Sequence, residues 1–527
     1  MQDITLKIRN LVVVVILILL PTFHPVAGNA MSINPQFPNN RLSFHNDNPG
    51  DTPIFLPLVM TVGTVTPPLP TPAPTLPPPN PSPPPSPTPG PEPEPLPGPI
   101  VNIPFVDGEV DFSDTAIFWF GKVTPTENYA DVRIAFNQNE LYLYLAVFDR
   151  RLWYDETPSP DQLTAWDAVS LFLDLNPDAP GAPNPQSFLF VAQFTPFPEW
   201  ESRSAYQQAY IGNGSGWSYA SLPFKTISGW RGTAWNDNTD DRGWAMTYLI
   251  PFSSLGLSTP PPQGTSWRLG MLLHDRDDSA GTPIPVQSWP PTLQMNNPTS
   301  FGFARFGIPG YSPPATTSQS TLTIREGLNG AIVPDAAVGG TTGNLCNADG
   351  DFWTNWGNAN FAESPDFNIQ NQGDIADWPC FAKYFVTFPL EQIPAGSVII
   401  SAKLILHQWG NSGSLGLAKP SMVHVSSVAA DWSESSLTWN NAPLAMENIS
   451  SLWVPVVYCG DVGWPCSPRE WDVSRAVAAA YASGEPVRLA LYSTDSDYHS
   501  GKFFTSSETG DWNDIGRPTL LVAWGVP

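Results

Sequence analysis

Basic residues are scarce in this sequence. Its 527 residues hold 23 Lys and Arg against 48 Asp and Glu, a formal net charge of -25 with a pI near 4.4. So little positive charge offers no basic stripe to a phosphate backbone, which argues against a nucleic-acid partner. The same balance opposes docking on an anionic membrane surface. Histidine is also rare, with 6 residues scattered along the chain, and no C-x-x-C occurs, so a zinc site lacks a ligand set. The patterns G-x-S-x-G, H-E-x-x-H and G-x-G-x-x-G and the phosphate-binding loop are all missing. If the chain were an enzyme, glycoside hydrolase or polysaccharide lyase would be its class, because facing carboxylates can converge from distant strands without a motif. Long apolar runs are absent except for one near the N-terminus.

That run, Leu11–Leu20, follows Lys7 and Arg9 and gives way to small residues ending at Ala30. It is too short for a comfortable span, which takes about 20 apolar residues. It reads as a secretory signal peptide over residues 1–30, cleaved after Ala30. The expected location is therefore extracellular, with no membrane insertion after cleavage and with cell-surface or matrix association open. No cysteine follows the run, which excludes a lipid anchor there. The four cysteines are Cys346, Cys380, Cys459 and Cys466. An even count in an exported chain points to two disulfides with three possible connectivities. The short loop CGDVGWPC suits a Cys459–Cys466 pair, which leaves Cys346 with Cys380.

Two residue types are abundant instead: 62 prolines and 21 tryptophans. After a loop-like leader, 31–66, more than half of residues 67–99 are proline. Such a segment extends as polyproline II at about 3.1 Å per residue, a spacer of roughly 100 Å. Residues 101–308 then show short alternating runs between Gly, Pro, Asn and Asp signals, among them NELYLYLAVFD and AWDAVSLFLDL. A linker, 309–319, precedes a second unit, 320–527, with further strand patterns and one helix in DVSRAVAAAYASGEP. The expected class is all-β: two β-sandwiches of jelly-roll type after a signal peptide and a proline-rich stalk.

The segments IPFVDGEVD, ADVRIAFNQNELYLYLAVFDRRL, AWDAVSLFLD, YLIPFSSLG and WRLGMLLHDRDD follow one another in the first unit. In that order they resemble the family 9 carbohydrate-binding modules. The resemblance implies a β-sandwich that holds a sugar end between aromatic rings, with structural calcium. It carries a site onto Asp149 and Trp166. It also marks departures: Ser170 stands where a glutamate is usual, an arginine near SFLFVAQF is missing, and no aromatic follows Trp289 before Phe301. In the second unit, IPAGSVIISAKLIL, WSESSLTWNNAP, WDVSRAV, FFTSSE and GRPTLLV resemble the exported DNRLRE domains, similar to family 96 carbohydrate-binding modules. That likeness implies binding of cell-wall or matrix polysaccharide, alginate in some members, and assigns no binding residue.

The candidate residues follow. Indole faces stack on the C–H faces of sugars, so Trp166, Trp289, Trp217 and Trp235 are the stacking candidates, with Asp149 and Ser170 beside them. The tryptophans of WSESSLTWNN and REWDV read as core. Asp275, Asp277 and Asp278 in one turn, and Asp349 and Asp351 in another, are candidate calcium ligands, since calcium takes clustered oxygens. Asp167 and Asp174 lie seven apart on one strand and so face opposite sides of the sheet. They cannot pair, and Asp167 falls on the side of Val169, Leu171 and Leu173. Taken together, the sequence points to an exported, non-catalytic glycan-binding protein. The alternatives are an adhesive or structural surface protein with a lost sugar site, and an accessory protein in glycan breakdown.

Overall fold

A two-residue alternation of apolar side chains shapes the strands. In Glu140–Phe148, Leu141, Leu143, Leu145 and Val147 are buried and the residues between them half-buried, because successive side chains leave opposite faces of a strand. The computed structural model describes residues 98–178, 181–197, 203–340, 352–371, 380–414, 416–428 and 430–527. The leader, the signal-like run, nearly all of the proline-rich segment, Cys346, Asp349 and Asp351 lie outside them.

The first sandwich is built from β1 (Ile100–Ile103), β2 (Ala116–Gly121), β3 (Tyr129–Phe136), β4 (Glu140–Phe148), β5 (Ala168–Asp174), β6 (Ser187–Gln193), β7 (Gln207–Gly212), β8 (Trp217–Tyr219), β9 (Lys225–Arg231), β10 (Gly243–Pro251), β11 (Ser266–His274), β12 (Gln287–Trp289) and β13 (Gly302–Phe306). One sheet runs β2-β3-β4-β10-β9, and the other runs β1-β13-β11-β5-β6-β7-β8 with β12 paired to β11. Phe118, Val132, Leu143, Leu171, Phe190, Tyr248, Leu269 and Trp267 fill the space between them.

The second sandwich comprises β14 (Ser320–Arg325), β15 (Asp335–Val338), β16 (Asp366–Ile369), β17 (Lys383–Phe388), β18 (Val398–Asn411), β19 (Ser421–Val428), β20 (Ala445–Val454), β21 (Ser467–Asp472), β22 (Val487–Ser493), β23 (Lys502–Thr505) and β24 (Thr519–Gly525). Two helices join them, the short α1 (Cys459–Val462) and α2 (Ser474–Ser483). The Asp472 carboxylate accepts the Ser474 N–H at the start of α2, and Gly484 closes it at φ 73°. That left-handed position is cheap only for glycine. The fold is all-β, as expected.

The two sandwiches are not held apart by the linker. The sheet β15-β17-β22-β19-β20 continues through β1 into β13, making one sheet of 13 strands. Both sandwiches lie in a single unit, Pro78–Pro527. The linker itself is tied down, with Tyr311 Oη donating to the Ile399 carbonyl at 2.5 Å and Thr317 N to Val526 O at 2.8 Å. Between the outer face of β2–β3 and the outer face of β15–β17–β22 lies a third core. Ile117, Trp119, Tyr129 and Phe148 meet Val338, Trp356, Phe381, Phe385, Trp439 and Tyr492 there. Fully burying side chains of this size contributes about 1.5–3 kcal/mol each. Alternation within a strand produces the arrangement: Phe118 and Phe120 of β2 point into the core of the first sandwich, while Ile117 and Trp119 point into the third core.

In this layer the Lys383 amine is fully buried. It lies 3.8 Å from the Trp439 ring, 4.3 Å from Trp119, 4.5 Å from Tyr129 and 4.9 Å from Tyr492. Tyr129 and Tyr492 both donate hydroxyl hydrogen bonds to Asp131, at 2.6 and 2.9 Å. Burial lowers the Lys383 amine well below its ordinary range, with the nearby Asp131 carboxylate working the other way, and the amine is caged by aromatic faces.

Candidate functional site

Trp166 and Asp167 lie between a 3-10 turn, Pro160–Ala165, and β5, which carries Ser170. Ser170, Phe172 and Asp174 leave β5 on the face away from the core, whereas Val169, Leu171 and Leu173 enter it. Asp174 is an end-of-strand residue that accepts from Asn176 N and from the Ser187 hydroxyl. Asp167 is fully buried and accepts backbone N–H bonds from Trp153 at 2.6 Å and Arg276 at 2.9 Å. The two aspartates have separate partners, as the alternation requires.

The expected sugar clamp is not assembled. Trp289 is 1 % exposed, its ring 4.4 Å from Phe118, and Gly302 leaves the space its indole fills. A buried indole cannot stack on a sugar, so Trp289 is a core residue. Ser170 is buried, with its hydroxyl 3.0 Å from His274 Nε2. Asp149 is also buried and accepts from Trp244 Nε1 at 2.9 Å and Arg151 N at 3.0 Å. Both side chains are therefore turned to partners inside the protein rather than to its surface. Trp166 is partly exposed, but the Arg276 guanidinium lies 3.8 Å above its ring. The Trp217 Nε1 donates to Met295 O and its ring packs on Phe172. Trp235 is 36 % exposed, edge-on to Trp230 at 5.0 Å.

What the structure does assemble here is an acidic cluster. Carboxylate oxygens of Asp149, Asp275 and Asp277 lie within 4.8 Å of one another, where β4 and β11 end. Asp278 does not join them: its carboxylate instead takes the Thr282 N–H in its own turn. Burial and then the Asp277 charge push the Asp275 carboxyl up to about 8, and burial pushes Asp277 up to about 6. Asp149 and Asp167 are raised by burial and then by neighbouring carboxylates. Both Asp275 oxygens are buried, with the Asn128 side-chain amide and the Arg276 backbone N–H as the donors near them. Buried carboxylate oxygens facing two other carboxylates are the donor set a calcium ion takes, so the residues present fit such an ion.

A second acidic site lies on the other sandwich, in residues that the sequence reading left without a role. A cleft of about 410 Å³ is walled by Glu326, Ile332, Glu434, Glu508, Asp511 and Arg517. Oxygens of Asp335, Glu434 and Glu508 approach within 4.8 Å of one another. Asp335 is buried; its Oδ2 accepts from Tyr384 Oη at 2.5 Å and Ser507 N at 2.8 Å, and its own N–H goes to Glu434 Oε1 at 2.9 Å. Burial raises the Asp335 carboxyl, with the Glu508 charge second, and burial also raises Glu434. Arg517 is already engaged, donating to Thr509 O and to Asp511 Oδ1. The signal in the sequence was a Ser–Glu pair in each of two quoted segments, Ser433–Glu434 in WSESS and Ser507–Glu508 in FFTSSE.

Cys459 and Cys466 form a disulfide that closes the loop bearing Trp464. Cys380 is disulfide-bonded as well.

No curated protein sequence matches this chain. Among solved structures, a family 9 carbohydrate-binding module from Caldicellulosiruptor kristjanssonii in complex with cellotriose is similar at 18% identity and a TM-score of 0.27, over 40% of this chain and 95% of that one. The same organism's module in complex with glucose is similar at 18% identity and a TM-score of 0.27, over 41% and 98% of the two chains. Residues 346–522 match the model of carbohydrate-binding module family 96.

Proposed function

We propose that this protein is an exported, non-catalytic carbohydrate-binding protein whose glycan surface lies on the second sandwich. One observation carries the reading. The acid-lined cleft takes Glu434, Glu508, Asp511 and Arg517 from within the segment matched to carbohydrate-binding module family 96. Carboxylates rimming an open cleft accept hydrogen bonds from sugar hydroxyls, and fixed polar groups in a concavity are the usual basis of ligand orientation. The first sandwich serves as its support. Of its stacking candidates, Trp166 lies under Arg276, Trp289 is in the core and Trp235 packs edge-on against Trp230, so no pair of open indole faces is brought together there. Calcium belongs to this reading as a structural ion held by Asp149, Asp275 and Asp277, replacing mutual repulsion with shared coordination. Export belongs to this reading, supported by the signal-like run Leu11–Leu20 and by the disulfide, which persists in oxidising compartments.

Affinity electrophoresis of the full chain in gels cast with plant and bacterial polysaccharides tests the reading. Retardation by at least one glycan, with no shortened product released, is expected. Unretarded migration across the whole panel would refute it.

A further inference from the structure

Two of the most exposed large side chains in the molecule touch each other. Trp464 and Trp512 are 53 % and 69 % exposed, with ring centroids 5.1 Å apart at 84°. Burying an indole is among the larger gains open to a folding chain, so leaving two in water at one spot calls for an occupant. Both are held in place. Trp464 sits in the loop closed by the Cys459–Cys466 disulfide. Trp512 sits in the 3-10 turn Asp511–Gly516, which Arg517 ties down through Asp511 Oδ1 at 2.9 Å and Thr509 O at 2.8 Å. Val462 and Ile515, in the same two segments, are exposed at 56 % and 55 %. Asp511, next to Trp512 in the chain, also lines the acidic cleft. The indole pair therefore adjoins the cleft.

Charge selects among ligands that present a flat apolar face. The cleft brings together Glu326, Glu434, Glu508 and Asp511 against one guanidinium, that of Arg517, already bonded within the protein. A polymer of uronic acids would meet like charge there, on a chain whose net charge is already -25. A glycan without acidic groups would meet acceptors for its hydroxyl or amino hydrogens.

We propose that Trp464 and Trp512 form the stacking platform for a glycan chain free of acidic groups, with the adjoining carboxylates accepting its polar hydrogens. The inference rests on the carbohydrate-binding reading above and adds its site and ligand class. Both tryptophans are exposed, so Trp464→Ala and Trp512→Ala should fold, as an unchanged melting temperature would show. Titration calorimetry of the full chain would use a soluble neutral β-glucan, a partly deacetylated chitin oligosaccharide and alginate. The expected result is binding of at least one of the first two, weakened roughly tenfold or more by either substitution, and no binding of alginate. Glycan affinity that survives both substitutions would overturn the platform while leaving carbohydrate binding intact. Alginate binding would overturn the ligand class. A loss of self-association in Trp512→Ala, with glycan affinity unchanged, would reassign the pair to contact between copies. Absence of binding to all three, and to the wider panel, would remove this inference and the reading beneath it together.

Discussion

At the scale of single residues, burial decided what composition left open. Twenty-one tryptophans could serve as core or as platform, and nothing in the sequence around Trp289 distinguishes it from Trp512. Gly302 makes the difference at the first site, because a side chain there would occupy the space of the Trp289 indole. That relation crosses two strands and is invisible along the chain. Asp167 was legible in part: the sequence reads it as a hydrogen-bonded polar residue at the strand start, and it lies one residue before β5, fully buried and accepting two backbone N–H bonds. Because Arg276 covers Trp166, Trp166→Ala should leave glycan affinity within about twofold of the parent by calorimetry. A larger loss would return the sugar site to the first sandwich. A pH effect also belongs at this scale. His424 is buried on β19, and burial lowers its imidazole from 6.5 to about 4. The folded state therefore binds fewer protons than the unfolded one between these values, and stability falls as pH drops from 6.5 towards 4. The full difference is about 3 kcal/mol at 1.36 kcal/mol per unit. Urea unfolding of His424→Gln should show a shallower loss between pH 7 and pH 4.5 than the parent. An identical slope would assign the acid sensitivity elsewhere.

At the scale of elements, short alternating strands and the single Ala-rich helix were readable, since their periodicity is local. The sites were less so, because each is made where distant ends converge. The first cluster joins the end of β4 to the residues after β11. The sequence pointed to the HDRDD turn, Asp278 included, and placed Asp149 with the sugar site, whereas the folded chain groups Asp149 with Asp275 and Asp277. If calcium occupies this cluster, chelation should lower the melting temperature of the parent and leave that of Asp275→Asn unmoved. Equal response of the two proteins would exclude the site. The disulfide loop carries its own expectation. Closing so short a loop restricts the unfolded chain by about 2–3 kcal/mol in the entropic account. The double substitution Cys459→Ser with Cys466→Ser should cost stability of that order by urea titration and weaken glycan binding along with it. Lost stability with unchanged affinity would show that the loop does not position Trp464.

At the scale of the whole molecule, two sandwiches were legible and their fusion was not. Each strand pattern announces two faces but not which other sheet covers the outer one. The extra apolar face of β2, and the aromatic residues of Phe385, Trp439 and Tyr492, acquire meaning only from each other. The caged Lys383 also reads in sequence as one more surface charge. Separate production of residues 320–527 should therefore expose this layer. Hydrophobic-dye binding and aggregation are expected of the fragment, against one cooperative transition for 98–527. A soluble, dye-negative fragment would show that the layer is dispensable.

The position of β1 has a mechanical consequence. It is the first described strand, and it runs parallel to β13 over four residues and bridges to β20 at Glu447. Asn102 exchanges hydrogen bonds with Asn448, and Glu447 also engages Arg305 and Arg475. Pulling the two sandwiches apart would have to break the Asn102–Asn448 hydrogen bonds and the Arg305–Glu447 ion pair together along the β1–β20 seam, so the strand that makes one sheet of two is also its rivet.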